Sequence, residues 1–209
     1  MRRIVAFNHV SADGYFAAPD GGLGWVVQDP ELDRSIMADA DRQAAMGNGP
    51  DPGTILFGRR TYEQFESFWP HALDNSGTAP SPHGPERSVE MRGMAIWINA
   101  AKKIVFSRTR KDVTWSNSSL LRELDPRAIE KMKQQPGGGG GMLIFGSGSI
   151  ASQLTQHGLI DEYQFIVSPL LLGDGRSLLA GVPKSVGLEL LEAKPFPSGN
   201  VLLRYGRSP

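Results

Sequence analysis

Short apolar runs alternate with amphipathic segments along most of this chain, and glycine, proline or polar residues separate them. Runs that are rich in β-branched and aromatic residues and end at such turn residues are typical of β-strands. We therefore predict strands at residues 3–10, 54–57, 102–107, 113–115, 142–145, 161–167, 188–192 and 201–205.

Helical segments are predicted between these strands. Pro30 and Pro126 suit a first helical turn, where the N–H that proline lacks would have no partner within the helix. Asp125 precedes the second of these prolines as a helix N-cap. Gly47 and Gly158 follow segments of helical pattern and are typical of helix ends. The predicted helices span residues 30–46, 60–68 and 126–135, and a fourth follows Ser149 and ends at His157.

The order of these elements predicts the fold class. Strands and helices alternate through most of the chain, which favours parallel strands joined by helices. The last two strands are joined by the turn-rich residues 195–199 and are predicted to form an antiparallel edge. Residues 70–95 contain several prolines, and we predict a long loop insertion there. The sequence thus predicts a single α/β domain over residues 1–209.

The composition argues against several kinds of protein. Hydrophobic residues make up 40% of the chain and charged residues 21%, which indicates a globular rather than a disordered chain. Basic and acidic residues number 22 each, and this balance argues against a nucleic-acid-binding protein that depends on a strong positive field. Because the chain has no cysteine, it has no disulfide, thiolate metal site or cysteine nucleophile.

The sequence shows no targeting, membrane-spanning or metal-binding pattern. The apolar run after Arg3 ends at Phe7, which is too short for the core of a signal peptide. No segment approaches the roughly 20 apolar residues of a membrane-spanning helix. The 4 histidines have no ligand spacing, so we predict no metal site. A cytoplasmic location is the expectation.

Three predicted strands are followed by glycine, hydroxyl-bearing or basic residues. These segments are Gly58–Thr61, Ser107–Thr109 and Gly146–Ser149. Taken singly, each is typical of a surface turn. In an open α/β sheet, however, ligands gather outside the carboxyl ends of the strands, and helix starts there donate N–H groups to phosphates. Together the three segments predict a dinucleotide site, and their arginines and hydroxyl groups favour a phosphorylated adenosine ribose.

These motifs carry a resemblance to a known family. Ser11–Gly14 follows the first strand, Gly58–Glu63 follows the next long strand, and Ser168–Gly175 lies near the end. With Ser107–Thr109 and Gly146–Ile150, they resemble the dihydrofolate reductase-like fold, and most closely the reductase domain of riboflavin-biosynthesis deaminase–reductases. The resemblance implies a three-layer α/β fold with a central, mostly parallel sheet, an antiparallel C-terminal edge and flanking helices. It also implies NADPH as the cofactor and a homodimer.

The resemblance further implies which residues contact the cofactor. The segment after the second long strand would hold the phosphates, and the segment at Ser107 would face the adenosine ribose phosphate. The segment at Gly146 would face the pyrophosphate and the nicotinamide side. The implied cofactor-binding residues are Gly58, Arg59, Arg60, Thr61, Ser107, Arg108, Thr109, Gly146, Ser147, Gly148, Ser149 and Ile150.

Three residues are candidates on the substrate side. The pyrimidine-reductase branch of the family has an Asp-Gly near the nicotinamide, which makes Asp13 the catalytic candidate, either binding a substrate amine or hydroxyl or assisting proton delivery. An ordinary Asp-Gly turn is an equal alternative. Trp25 and Asp29 are predicted to contact the substrate, Trp25 by stacking. Dihydrofolate reductases carry Leu-Pro-Trp and an acid five residues further on, whereas this chain has Gly24 and Pro30 at the corresponding positions.

The combined expectation is an NADPH-dependent reductase that transfers a hydride to a small heterocycle. The resemblance points to 5-amino-6-(5-phosphoribosylamino)uracil, an intermediate of riboflavin biosynthesis, as the substrate. Two alternatives stay open, namely a dihydrofolate reductase acting on a pterin and a non-catalytic nucleotide-binding protein of the same fold. No separate deaminase segment is recognised in the sequence, so we expect a reductase without an attached deaminase.

Overall fold

The computed structural model of the chain describes residues 1–38, 46–47, 52–74, 89–135 and 140–208. Most strands form where the apolar runs predict them. In chain order the strands are β1 (Ile4–Ser11), β2 (Tyr15–Ala17), β3 (Thr54–Gly58), β4 (Lys102–Phe106), β5 (Ser118–Leu121), β6 (Met142–Phe145), β7 (Glu162–Ser168), β8 (Arg176–Ser177), β9 (Leu188–Pro195) and β10 (Val201–Arg207).

The helices lie largely between these strands. Asp125 caps one of them as predicted, since its side chain accepts a 3.0 Å hydrogen bond from the backbone N–H of Arg127. None of the described helices is long and apolar enough to cross a membrane. In chain order the helices are α1 (Pro30–Ala38), α2 (Arg59–Glu66), α3 (Val89–Ala100), α4 (Pro126–Gln134) and α5 (Gly148–Gln156), with a short 3-10 turn at Trp69–His71.

The described strands form an eight-stranded sheet in the order β5-β4-β3-β6-β1-β7-β10-β9. β1 lies between β6 and β7 and is parallel to both, and β3, β4 and β5 continue the parallel part. β10 is antiparallel to β7 and β9, which confirms the predicted antiparallel C-terminal edge. The carboxyl ends of the parallel strands therefore share one edge of the sheet. A separate two-stranded sheet joins β2 and β8, which the sequence does not predict.

Helices cover both faces of the sheet. Val5 and Phe7 of β1 belong to a buried cluster that α1, α2 and α3 also enter. Ile4 and Ala6 point to the other face and belong to the cluster of α4 and α5. Because successive strand residues alternate between faces, β1 is buried on both sides. This arrangement confirms the three-layer α/β fold.

The predicted strand at residues 113–115 is wrong. Trp115 is buried, but its backbone N–H donates to the Tyr62 hydroxyl (3.2 Å) instead of to a neighbouring strand. The apolar pattern here reflects a loop that packs on the core, with the Lys103 ammonium 4.3 Å from the Trp115 ring centre. The strand of this region is Ser118–Leu121, whose two serines and two incompletely buried leucines give little sequence signal.

The predicted loop insertion at residues 70–95 is partly wrong. Its last residues are helical, because α3 begins at Val89 and buries Ala95 and Ile98 on one face. The prolines that favour a loop all precede this helix. Residues 75–88 lie outside the described part of the chain, and so do residues 39–45 of the predicted first helix and most of the run of glycines before β6.

Candidate functional site

The three predicted segments lie side by side at the carboxyl edge of the sheet. Residues 58–61 run from the end of β3 into α2, residues 107–109 follow β4, and residues 146–150 follow β6 into α5. The three strands are direct neighbours in the order β4-β3-β6. The structure thus brings together the predicted cofactor residues, and we call the surface formed by these three segments the candidate phosphate site.

Ser147 connects two of the three segments. Its hydroxyl oxygen accepts a 3.0 Å hydrogen bond from the backbone N–H of Gly58. Its own backbone N–H donates to the Thr61 hydroxyl at 3.2 Å. Ser147 has φ 49° and Gly146 has φ 55°, so two successive residues adopt the left-handed conformation. That conformation costs a residue other than glycine ~1–2 kcal/mol, and the two hydrogen bonds offset this cost.

Both helices that begin at the site lack a side-chain cap. α2 follows Gly58 and α5 follows Ser147, and neither preceding side chain accepts a hydrogen bond from its helix. The first N–H groups of a helix have no partner within it, and the helix dipole favours negative charge at this end. The two adjacent helix starts therefore offer N–H donors that suit the phosphates of a dinucleotide.

Three arginines lie in the segments of the candidate phosphate site. Arg59 is tied within the site, because its Nε donates to Glu63 at 2.8 Å and its Nη1 donates to the Thr109 hydroxyl at 2.9 Å. Arg60 and Arg108 are exposed, and within the described chain their guanidinium groups have no hydrogen-bond or ion-pair partner. They are the cations of the site that are available to an anion.

Ser107 shapes the turn after β4. It is buried, and its hydroxyl oxygen accepts hydrogen bonds from the backbone N–H groups of Thr109 (3.3 Å) and Arg110 (3.0 Å). These bonds close a tight turn that carries Arg108 at its exposed side. The accessible groups of this segment are therefore Arg108 and Thr109, and Ser107 orients them.

Arg110 is a neighbouring cation whose charge is already paired. Its guanidinium contacts Glu66 at 2.6 Å and Glu63 at 3.5 Å, and it lies 4.8 Å from the ring centre of Tyr62. Burial would raise the pKa of Glu66, but hydrogen bonds from Thr114, Tyr62 and Arg110 outweigh it and hold that pKa below its usual value. Arg110 thus joins α2 to the loop after β4 and adds no free positive charge.

The residues at the start of α5 differ in what they expose. A Cβ on Gly148 would lie 2.9 Å from ring atoms of Phe16 and 3.1 Å from the carbonyl oxygen of Leu178, so this glycine permits close packing. Ile150 belongs to the buried core. Ser149 is exposed. Of these three predicted cofactor residues, Ser149 is the one whose side chain a ligand can reach.

Asp13 lies in the turn after β1. Its carboxylate accepts hydrogen bonds from the Ser11 hydroxyl (2.5 Å) and from the backbone N–H groups of Leu172 (3.2 Å) and Gly173 (2.8 Å). The bonds from Ser11 and Gly173 hold the pKa of Asp13 below its usual value, so the group is ionised at neutral pH. Such a carboxylate is suited to binding a substrate amine and is a poor proton donor.

Asp29 and Trp25, the other predicted substrate residues, have different surroundings. Asp29 is buried and caps α1, since one oxygen accepts hydrogen bonds from the N–H groups of Glu31 and Leu32. Its other oxygen accepts from the Ser198 hydroxyl. The geometry thus engages both carboxylate oxygens in a structural role. The indole N–H of Trp25 is enclosed and has no acceptor among the described residues, which leaves one donor for a ligand.

A row of aromatic rings lines the face of the sheet that α1, α2 and α3 cover, and the sequence does not predict it. The Phe7 ring centre lies 5.6 Å from that of His9 and 5.9 Å from that of Phe145. Phe65 continues the row at 5.8 Å from Phe145, and Trp69 lies 6.1 Å further on. Phe7 and Phe145 belong to the buried cluster on this face, and Phe65 and Trp69 pack against it, so the row is part of the core. A sequence signal for this row is that Phe7 and His9 are two residues apart in β1 and therefore lie on one face of the strand.

Solved structures share this architecture. A Shewanella sp. PV-4 protein named for riboflavin biosynthesis matches with a TM-score of 0.66 and 20% identity over 100% of both chains. A diaminohydroxyphosphoribosylaminopyrimidine deaminase/5-amino-6-(5-phosphoribosylamino)uracil reductase from Thermotoga maritima has a TM-score of 0.62 and 14% identity, over 99% of this chain and 57% of that one. Dihydrofolate reductase from Enterococcus faecalis, complexed with NADP(H), has a TM-score of 0.57 and 13% identity over 99% and 97%. These similarities confirm the dihydrofolate reductase-like fold.

Sequence similarity identifies the family within this fold. The uncharacterized protein YyaP of Bacillus subtilis (strain 168) is 26% identical over 209 residues, covering 98% of this chain and 95% of YyaP. The model of the RibD C-terminal domain matches residues 2–202. Because that match spans nearly the whole sequence, the chain belongs to the RibD C-terminal domain family.

Proposed function

We propose that this protein is an NADPH-dependent reductase that transfers a hydride to a small heterocyclic substrate. The observation that carries the proposal is the pair of uncapped helix starts that Gly58, Ser147 and Thr61 hold together. Two such starts side by side match the pyrophosphate of a dinucleotide. Membership of the RibD C-terminal domain family supports a reductase, and a structural neighbour of the same fold is complexed with NADP(H).

The two exposed arginines favour NADPH over NADH. Arg60 and Arg108 have no partner within the described chain, so binding a phosphate would not require either to break an ion pair. A guanidinium binds phosphate oxygens through two parallel hydrogen bonds. NADPH differs from NADH by one phosphate on the adenosine ribose, and Arg108, with Thr109 beside it, is the proposed contact for that group.

The proposed substrate is the aminopyrimidine 5-amino-6-(5-phosphoribosylamino)uracil. The family supports this choice, and the Thermotoga maritima neighbour bears the name of a reductase for this compound. Asp13 is ionised and suits a substrate amine. A pterin is the alternative. The residues at the folate position do not support it, because Pro30 replaces the acid and Asp29 beside it caps α1.

The chain's own residues would bind and orient the reactants. Bound NADPH would supply the hydride that reduces a C=N bond or a masked aldehyde of the substrate. The N–H groups at the starts of α2 and α5 would hold the phosphates, and Ser147 would fix the spacing of these two starts. Asp13 would bind a substrate amine through a carboxylate that the Gly173 N–H keeps in place.

A binding and turnover experiment tests the proposal. Titration with NADPH and NADH, followed by fluorescence, should show tighter binding of NADPH. Oxidation of NADPH at 340 nm is then measured with the ribosylaminopyrimidine and, separately, with dihydrofolate. Oxidation of NADPH with the ribosylaminopyrimidine supports the proposal. Oxidation with dihydrofolate alone supports the alternative, a dihydrofolate reductase that acts on a pterin. Binding of NADPH without its oxidation in the presence of either compound favours a non-catalytic nucleotide-binding protein. If NADPH does not bind, the proposal is wrong.

A homodimer, which the family resemblance implies, is also part of the proposal. β9 is the edge strand of the sheet, and Leu190 and Leu191 on it are 54% and 50% exposed. An exposed strand edge with apolar side chains favours pairing with another chain. Light scattering should give twice the mass of 22.7 kDa, and Leu190→Asp should give the monomer.

A further inference from the structure

Asn8 is a buried amide that lacks any partner. The residue is 2% exposed, and neither its Oδ1 nor its Nδ2 forms a hydrogen bond within the described chain. Asn200 is buried as well, and its Oδ1 also lacks a partner among the described residues, but its Nδ2 donates to the carbonyl oxygen of Val27 and to the Ser198 hydroxyl, both at 3.0 Å. Buried polar groups are rarely left unpaired, so an orphaned amide on a central strand indicates a ligand that completes its bonding.

Asn8 lies where β1 and β6 part. The last paired residues of these two strands are Phe7 and Phe145, and the N–H of Gly146 donates to the Phe7 carbonyl at 3.1 Å. Gly146 and Ser147 then turn the chain away from β1 through two left-handed conformations. Asn8 is the next residue of β1 beyond this point. Its side chain therefore stands beside the turn that starts α5, which belongs to the candidate phosphate site.

The side chain of Asn8 faces α5. Residues two apart on a strand share a face, and Ala6 belongs to the buried cluster that contains Ile150 of α5. Phe16 of β2 packs against Gly148, the first residue of α5, and so contributes to the cover of this side. β2 pairs with β8 in a sheet of its own, so a displacement of Phe16 breaks no hydrogen bond of the main sheet.

We propose that Asn8 binds the carboxamide of the nicotinamide ring and thereby positions the ring, an inference that rests on the proposed function. A primary carboxamide presents a carbonyl and an NH₂ in one plane, and the Asn8 amide presents the same two groups, so the pair forms two hydrogen bonds. A phosphate or carboxylate would leave Oδ1 unpaired because it has no donor.

The test compares NADPH with its reduced 3-acetylpyridine analogue, in which a methyl ketone replaces the carboxamide. Fluorescence titration of the wild type should show about tenfold tighter binding of NADPH, because the analogue leaves the Asn8 carbonyl without a donor. Asn8→Leu should bind NADPH about tenfold more weakly and should no longer distinguish the two compounds. Without cofactor, Asn8→Leu should be at least as stable as the wild type, since it removes an unpaired buried polar group.

Asn200→Leu is the matched control. It removes an asparagine of similar burial whose Nδ2 is already hydrogen-bonded within the protein, so it should lower stability and keep the preference for NADPH. Equal binding of both compounds by the wild type overturns the inference without any variant, and so does an unchanged preference in Asn8→Leu. If the wild type does not bind NADPH at all, the proposed function is wrong as well. Failure of the Asn8 inference alone is therefore distinguishable from failure of the proposed function.

Discussion

The backbone N–H of Gly58 donates a hydrogen bond to the hydroxyl of Ser147, a residue 89 positions further along the chain. This bond fixes the end of β3 against the turn that follows β6. Because α2 and α5 begin at these two points, their N-termini are held at a constant spacing. A dinucleotide pyrophosphate requires such a fixed spacing, since a site that is organised before binding loses less entropy on binding.

Replacement of Ser147 should weaken both the fold and the cofactor site. Ser147→Ala leaves the buried N–H of Gly58 unpaired and keeps a non-glycine residue at φ 49°, so we expect a loss of ~1–3 kcal/mol in the free energy of unfolding. Ser147→Gly loses the same hydrogen bond but relieves the left-handed conformation, so it should lose less. Urea denaturation of the two variants checks this order. Equal stability of Ser147→Ala and the wild type would contradict it.

Removal of the Arg108 charge should weaken the binding of NADPH and leave the binding of NADH nearly unchanged. The side chain is exposed and has no partner in the described chain, so Arg108→Ala changes no internal contact. Loss of one charge-assisted phosphate contact should weaken NADPH about tenfold, equivalent to ~1.4 kcal/mol. Arg59→Ala should weaken NADPH less specifically, because Arg59 also holds Glu63 and Thr109.

Lys131→Ala is the control for these arginine variants. Lys131 is exposed in the last turn of α4, two residues before Lys133, whose carbonyl oxygen accepts from the N–H of Arg2 just before β1. It therefore lies at the amino edge of the sheet, away from the candidate phosphate site, and its loss changes the net charge equally. The Kd for NADPH and for NADH is measured at constant ionic strength. Equal losses for the two cofactors in Arg108→Ala are the result that contradicts the assignment.

Asp13→Asn should lower activity without changing how kcat/KM depends on pH near neutrality. The carboxylate has a pKa below its usual value, so it is ionised throughout pH 5–8, and its contribution to the fold is lost only as the pH falls through that low pKa. The variant weakens the bonds to Leu172 and Gly173 and removes the charge that would bind a substrate amine. We expect a lower kcat/KM and faster hydrogen exchange at those two amides. A kcat/KM profile with an acid limb near pH 6.5 that Asp13→Asn abolishes is incompatible with this assignment.

The sequence predicts the parts of this structure that local patterns determine. The run Met142–Phe145 is apolar and lies between glycines, and it forms β6 with the predicted bounds. The strand ends meet because parallel strands joined by helices share their carboxyl edge. Local patterns do not reveal long-range bonds. Nothing in the residues around Asp29 indicates that Ser198 occupies one of its oxygens, and a buried loop at Trp115 has the same apolar pattern as a strand.

Lys103 is expected to make stability depend on pH in the alkaline range. The residue is 1% exposed, and burial lowers the pKa of its ammonium group to about 8. In the unfolded chain the pKa is ~10.4, so between these two values the unfolded state binds more protons and the free energy of unfolding rises with pH. The full rise is at most ~3 kcal/mol. Carbonyl oxygens of Asn99, Ala101 and Ser116 accept from the ammonium and reduce this figure, as does the Trp115 ring.

The difference in stability between the wild type and Lys103→Met isolates this contribution, since other titrating groups are common to both proteins. Urea denaturation at intervals from pH 7.5 to 10.5 should show the wild type gaining stability relative to the variant. Lys102→Met provides the control, because Lys102 is the preceding residue of β4 and is exposed, so its removal should leave the pH dependence of the wild type unchanged. A constant difference between wild type and Lys103→Met across this range would mean that the three carbonyl oxygens and the Trp115 ring compensate fully for the burial of the ammonium group.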